Sequence, residues 1–288
     1  MLKNIGIIGN GFVGKAVKES FKNYFDLFIF DKDKRKANVK DIKELVSKCK
    51  MIFLCLPTPM NLEDGSCHLG ILEESLNKID DWCDEMEYYG LEQRTIIIKS
   101  TVVPGTTEKW NKTYKHIDVA FNPEFLTEAN AIDDFKNQNR IIIGANRKVG
   151  SKVKSIFDKV FPKIPIIKTS STIAEMIKYF TNCFLAMKVS YANEMYQICE
   201  KLNIDYDKVI EYARYDERIG YSHLNVPGPD GDFGFGGHCF PKDLNALIHL
   251  AKEHSLGLDI NVLQATLDTN NRVRQNRDWE QQKGRAVI

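Results

Sequence analysis

The 288-residue sequence has no apolar run approaching the roughly 18 residues that would span a bilayer. It has no excess of either charge: Lys and Arg number 40, Asp and Glu 39. A net charge of +1 gives no support for nucleic acid or a membrane as partners gathered by bulk electrostatics. It has no Cys-x-x-Cys pair, and its cysteines are odd in number: Cys49, Cys55, Cys67, Cys83, Cys183, Cys199 and Cys239. That disfavours a disulfide framework and a zinc ribbon, so reduced thiols and no metal are expected. The first residues lead almost directly into an apolar segment without a small-residue cleavage site. The expectation is a cytoplasmic protein without a signal peptide. Internal repeats and low-complexity tracts are absent too.

What is there is ordinary globular material, 43% hydrophobic and 27% charged, long enough for two domains. The first half alternates short β-branched runs with helical patterns. Strands are expected at Asn4–Ile8, Leu27–Phe30, Met51–Leu56, Thr95–Lys99, Val119–Phe121, Arg140–Gly144 and Ile164–Lys168. Helical spacing marks Val13–Phe21, Ile42–Val46 and Val149–Val160. Nearly all-apolar strands alternating with helices predict a parallel sheet covered on both faces. After about Lys168 the pattern becomes helical: Ser170–Leu202, then Val209–Tyr215, then Pro241 onward with a break near Leu256–Asp259. Between them lies a Gly/Pro-rich loop, Ile219–Cys239. The expected domains are 1–168, α/β, and 169–288, mostly helical.

Gly9-Asn10-Gly11-Phe12-Val13-Gly14 fits G-x-G-x-x-G directly after a strand and before a helix. The first glycine serves the tight turn, the second the approach of a pyrophosphate, the third close packing of helix on strand. The helix N-terminus offers N–H groups to the phosphates. Asp31, 20 residues after Gly11, is placed to bind ribose hydroxyls, which favours NAD over NADP despite Lys32, Lys34 and Arg35 nearby.

The second informative segment is Gly236-Gly237-His238-Cys239-Phe240-Pro241-Lys242-Asp243. Pro241 suits the first helical position, which sets Cys239 just before a helix N-terminus and Asp243 in the first turn. That environment favours a thiolate. Cys55, Cys183 and Cys199 instead read as small core hydrophobes. Lys178 and Asn182 lie one turn apart on a predicted helix and share a face. Glu124 and Glu128 would share a face if their segment is helical, and a carboxylate near an apolar cleft would have a raised pKa.

These motifs together resemble the UDP-glucose/GDP-mannose dehydrogenase family. The resemblance runs in order through the glycine turn, Leu56-Pro57-Thr58-Pro59 with Asp64-Gly65, and Ser100-Thr101-Val102-Val103-Pro104-Gly105-Thr106-Thr107. It continues through Asn122-Pro123-Glu124-Phe125-Leu126-Thr127-Glu128, then Glu175, Lys178 and Asn182, then Arg218-Ile219-Gly220 and the cysteine motif. It implies a Rossmann-type doubly wound sheet followed by a mostly helical central domain. It implies NAD as cofactor, a nucleotide sugar as substrate and a homodimer. The family performs two successive oxidations at one carbon, and the resemblance assigns Cys239 as the nucleophile that captures the aldehyde. Lys178 and Asn182 would bind the developing oxyanion. Glu124, Glu128 and Thr101 would serve acid/base and water-handling steps, and Asp243 would partner Lys178 or the catalytic water. The cofactor set would be Gly9, Gly11, Phe12, Val13, Gly14, Asp31, Lys32, Pro57, Thr58, Ser100, Thr101 and Glu128. The substrate set would add Phe125, Leu126, Gly236 and Arg218, the last reaching in from a neighbouring subunit.

The sequence departs from the family in three places. Asn261–Arg277 looks like the start of a connecting helix, and a short form without the family's third domain is expected; Asn225–Asp232 carries a Pro/Gly insert; and His238 stands where a small or aromatic residue often precedes the cysteine. Two other functions therefore stand beside the first: a single-step dehydrogenase of the β-hydroxyacid type, which would not need Cys239, and a non-catalytic NAD-binding chain that partners a full-length enzyme.

Overall fold

The computed structural model describes residues 2–87, 93–253 and 259–288. In chain order the elements are β1 (Asn4–Ile8), α1 (Phe12–Phe21), β2 (Asp26–Phe30), α2 (Ile42–Lys48), β3 (Met51–Leu54), α3 (Gly70–Glu87), β4 (Arg94–Ile98), α4 (Thr106–Thr113) and β5 (Ile117–Phe121). They continue with α5 (Ala131–Lys136), β6 (Ile141–Gly144), α6 (Arg147–Val160), β7 (Ile166–Thr169), α7 (Ser171–Leu202), α8 (Tyr206–Ala213), α9 (Cys239–Glu253) and α10 (Asn261–Val273). The chain divides into two compact units: Met1–Thr58 with Leu69–Lys178, and Pro59–His68 with Tyr179–Ile288. The division falls inside α7.

The first unit is built on one sheet in the order β2-β1-β3-β4-β5-β6-β7. Its two-sided burial follows from the alternation along each strand. Ile8, Ile52, Leu54, Ile96, Ile98 and Phe121 enter one core. Ile7, Phe53, Ile97 and Ala120 enter the core on the other face. Phe21, Phe53 and Phe157 meet edge to face there, with centroids 5.2 to 5.9 Å apart. The expected parallel sheet has one exception: β5 and β6 run antiparallel, paired at Phe121 and Gly144. A strand buried on both faces reads as the same apolar run in either direction, so the reversal left no mark on the pattern.

The second unit is mostly helical. Cys183 and Ala186 of α7 pack against Phe235, Leu244 and Ile248. Met60, Trp279, Ala286 and Val287 form a small separate core. The Pro59–His68 segment is a hairpin in which Met60 pairs with Cys67 and with Val287. The helix expected over 261–277 is shorter: α10 ends at Val273, and the chain turns through a 3-10 segment, Asp278–Gln281, back to Met60. Beyond the stop, Arg274 turns to Asp230 and Asp278, and Trp279 enters the small core with Met60. Of the break expected near Leu256–Asp259, residues 256–258 lie outside the described part. Among the described residues, no helix is long and apolar enough to cross a membrane.

Candidate active site

The dinucleotide turn follows β1 where the strand order reverses, with β2 on one side of β1 and β3 on the other. Two of the three glycines are required by their surroundings. Gly9 has φ +90, and a Cβ there would lie 2.4 Å from Cys55 O. A Cβ on Gly14 would lie 1.9 Å from Gly9 O. A Cβ on Gly11 would meet nothing within 4 Å, which leaves the open approach a pyrophosphate needs. No side chain caps the N-terminus of α1, which leaves its N–H groups available to an anion. Phe12 is exposed and Val13 half-buried. Asp31 follows β2 directly, and its carboxylate accepts Asn10 N at 2.6 Å and Asp33 N at 2.9 Å. A cleft of about 310 Å³ opens beside it, lined by Phe30, Val39, Lys32, Lys34 and Lys40 among others. These residues fit an adenosine ribose and pyrophosphate.

At the ends of β3 and β4, the Thr58 hydroxyl donates to Thr101 O at 2.8 Å and the Ser100 hydroxyl donates to Leu56 O. Pro57 is exposed, and Thr101 is buried. Glu175 of α7 holds the loop that follows, accepting Gly105 N at 2.6 Å and Thr107 N at 2.8 Å. It therefore caps α4, whose first backbone position, Gly105, has φ 94. Burial raises the Glu175 pKa, and the Thr107 and Gly105 hydrogen bonds work against that rise. Sequence spacing could not assign this role, because the partners lie about 70 residues apart.

The Asn122–Glu128 segment is not helical, which corrects the expectation for its two acids. The Glu124 carboxylate turns back to accept Leu126 N at 2.7 Å, and Asp134 takes Thr127 N and its hydroxyl, so the first helical turn waits until Ala131. Glu124 is nearly buried while Glu128 is exposed. Lys178 supplies the counter-charge, 3.1 Å from Glu124 Oε1 and 2.6 Å from its carbonyl oxygen. Phe125 stacks beneath the Lys178 ammonium, 5.5 Å away, and Leu126 packs into the sheet's second core. Burial works against the charge on Glu124, but Lys178, Leu126 N–H and Lys99 outweigh it. The pKa is lowered, not raised as expected, so Glu124 is ionised at neutral pH.

Lys99 went unnoticed in the sequence because it ends an apolar strand. Its ammonium, 2% exposed as a residue, donates to Asn122 Oδ1 at 2.8 Å. Burial pulls its pKa from 10.5 to about 8, only partly offset by Cys55 and Glu124. The unfolded chain therefore holds one more proton between those values, and stability rises with pH across that window. Lys99→Met removes this dependence. The stability of wild type relative to the variant is expected to grow by about 3 kcal/mol from pH 7.5 to 10.5. Urea unfolding at both pH values checks it; a constant difference would show that Lys99 keeps its ordinary pKa in the folded protein.

In the second unit, α9 starts at Cys239 itself, so Cys239 lies in the first turn and Pro241 is the third helical residue. Proline is tolerated there because those N–H groups lack intrahelical partners. Asp243, expected in the first turn, opens the second and is buried. Its carboxylate is shared between Asn182 Nδ2, at 2.6 Å, and the Lys242 ammonium. Burial works against the Lys242 charge, but Asp243, Cys67 and Cys239 more than offset it, so the group is held above the usual lysine range. Cys67, from the Pro59–His68 hairpin, thus belongs to the Cys239 surroundings, which the sequence gave no sign of. The Cys55 thiol is pushed up to about 12 by burial and that of Cys183 is also raised, in keeping with inert core positions. Arg218 is exposed and bidentate on Asp216. Gly236 lies half-buried in the loop before Cys239.

Fold and turn together define a dinucleotide-binding protein of the Rossmann type. Residues 31–161 match the NAD binding domain, and residues 172–272 the central domain, of the UDP-glucose/GDP-mannose dehydrogenase family, and the chain belongs to that family. A UDP-glucose 6-dehydrogenase of Haloferax volcanii is 34% identical over 232 residues, 76% of this chain and 51% of that protein. A UDP-glucose dehydrogenase structure from Pyrobaculum islandicum matches with TM-score 0.82 and 27% identity, covering 94% of this chain and 68% of that one. A 3-hydroxyisobutyrate dehydrogenase of Mycobacterium tuberculosis shares the fold, with TM-score 0.74 at 14% identity. The chain spans about half the length of the curated relatives it matches.

Proposed function

We propose that this protein oxidises a nucleotide sugar, UDP-glucose in the first place, to its uronic acid in two NAD-dependent steps through a covalent Cys239 adduct. The observation that carries the reading is the buried Asn182–Asp243–Lys242 network beside a cysteine in the first turn of α9. A structural cysteine needs no such network. The Gly9–Gly14 turn and Asp31 would hold NAD, which when bound accepts the hydride at each oxidation. Cys239 adds to the aldehyde as a thiohemiacetal, whose oxidation gives a thioester, and water then releases the acid and restores the thiol. Lys178 and Asn182, one turn apart on α7, are the donors for the developing oxyanion. Glu124, kept ionised by Lys178, is the base for the hydrolytic water. Glu128 and Thr101 remain candidates for cofactor and water contacts.

The working form is a homodimer built on α7. Phe180, Phe184, Tyr191, Ile198 and Leu202 recur at helical spacing and are all exposed, and the first two rings stack with centroids 6.3 Å apart. A stripe of that length on a monomer is a partner surface. Arg218 would then reach the partner's substrate. Phe180→Glu with Phe184→Glu is expected to give a monomer by analytical ultracentrifugation where the wild type is a dimer. A monomeric wild type would remove the proposal.

The deciding experiment supplies NAD and a panel of UDP- and GDP-sugars and counts NADH against acid formed. Two NADH per acid from one sugar supports the reading. One NADH per product places the protein with single-step dehydrogenases. NAD binding without turnover of any sugar points to a binding chain that partners another enzyme.

A further inference from the structure

The residues leading into Cys239 are held by side chains that no step above uses. Gly234 N donates to Asn193 Oδ1 at 3.0 Å. Asn270 brackets Phe235, accepting its N–H at 2.7 Å and donating to its carbonyl at 3.1 Å. Gly237 N, two residues before the thiol, is shared between Asp278 Oδ1 and Oδ2, each at 3.1 Å. Arg274 stands behind Asp278 at 3.4 Å, with its side chain 2% exposed. It also binds Asp230 at 2.6 Å and Asp232 at 3.4 Å, and donates to Phe233 O at 3.4 Å. The fit is close: a Cβ on Gly236 would lie 2.2 Å from Arg274 Nη2 and 2.4 Å from Asp278 Oδ1.

A loop with glycine at 231, 234, 236 and 237 has many backbone states of similar energy. An external carboxylate on one of its N–H groups removes most of them before any ligand arrives. Three carboxylates around one buried guanidinium keep that carboxylate in place.

We infer that Asp278, backed by Arg274, is a positioning residue for the Cys239 thiol: through the Gly237 N–H it fixes the peptide entering α9 and hence where Sγ lies. For its catalytic meaning this rests on the cysteine-based function proposed above. Asp278 acts through the backbone and touches no reacting atom.

The test uses Asp278→Ala, Asp278→Asn and Gly236→Ala in the full chain. Iodoacetamide labelling of Cys239 is read at its own peptide by mass spectrometry at pH 7, beside kcat and the KM for NAD. Asp278→Ala is expected to slow labelling and lower kcat about tenfold, since small misplacements of a reacting group cost that much or more, with the KM for NAD unchanged. Asp278→Asn keeps an acceptor for Gly237 N–H and is expected to restore both to within about twofold of wild type. Gly236→Ala displaces Arg274 and Asp278 without removing a charge and should repeat the loss; it decides the matter if Asp278→Ala does not fold. Unchanged labelling and kcat in folded Asp278→Ala overturns the inference, as does an Asn variant as impaired as the Ala one. If Cys239→Ser still makes acid while labelling of Cys239 follows Asp278, the positioning stands and the covalent function falls.

Discussion

Cys239→Ser is expected to lower acid formation by about a thousandfold or more, because a nucleophile that works as part of a unit cannot be replaced by its partners. Serine keeps the shape but its hydroxyl is a far poorer nucleophile than a thiolate. Cys239 is half-buried, so the substitution should leave the melting temperature almost unchanged. NAD affinity should also hold, because the Gly9–Gly14 turn and Asp31 belong to the other unit. Acid and NADH are measured together. A serine variant within tenfold of wild type would end the thioester reading and return the chain to single-step chemistry.

Lys178→Met should have the largest combined effect on stability and rate. Methionine has nearly the right length, so little cavity forms, but Glu124 loses its main counter-charge while remaining nearly buried. Breaking a buried pair from one side costs about 3–5 kcal/mol. The sign with pH follows from the lowered Glu124 pKa. A carboxyl depressed in the folded state contributes stability above its unfolded value of 4.5, and that contribution is lost as pH falls through the folded value. The penalty in Lys178→Met is therefore largest at neutral pH and shrinks under acid conditions, where Glu124 takes a proton in the variant. Loss of the proposed oxyanion donor should lower kcat about a hundredfold to a thousandfold as well. Urea unfolding at pH 7 and pH 4, with turnover at pH 7, tests both parts. Equal stability of variant and wild type at pH 7 would mean that Lys178 does not carry the Glu124 charge.

Both predictions depend on partners that spacing alone did not reveal. The strands were legible as seven short β-branched and apolar runs, and each formed within two residues of its expected ends. The dinucleotide turn was legible because every requirement on it is local: Gly9 and Gly14 are excluded from bearing a Cβ by atoms a few residues or one strand away. The Lys178–Asn182 face was legible because a helix repeats every 3.6 residues. A segment's own preference gave way where distant contacts competed with it. Glu124 and Glu128 have helical spacing, yet Pro123 leads into a non-helical segment held by Lys99, Leu126 and Lys178. The final helix had every sign of continuing, yet Arg274 turns inward to three aspartates.

The sequence by itself determined the layered α/β unit, the long helix after it, the cofactor turn and the identity of the chemical groups, since each is written in periodicity or in a short contiguous motif. Tertiary structure alone decided the charge states and the partners: Lys178 on Glu124 across 54 residues, Asn182 on Asp243 across 61, Gly237 on Asp278 across 41. The physical reason is that electrostatics in a buried site depends on distance in space and on exclusion of water, and neither exists until the chain has closed on itself.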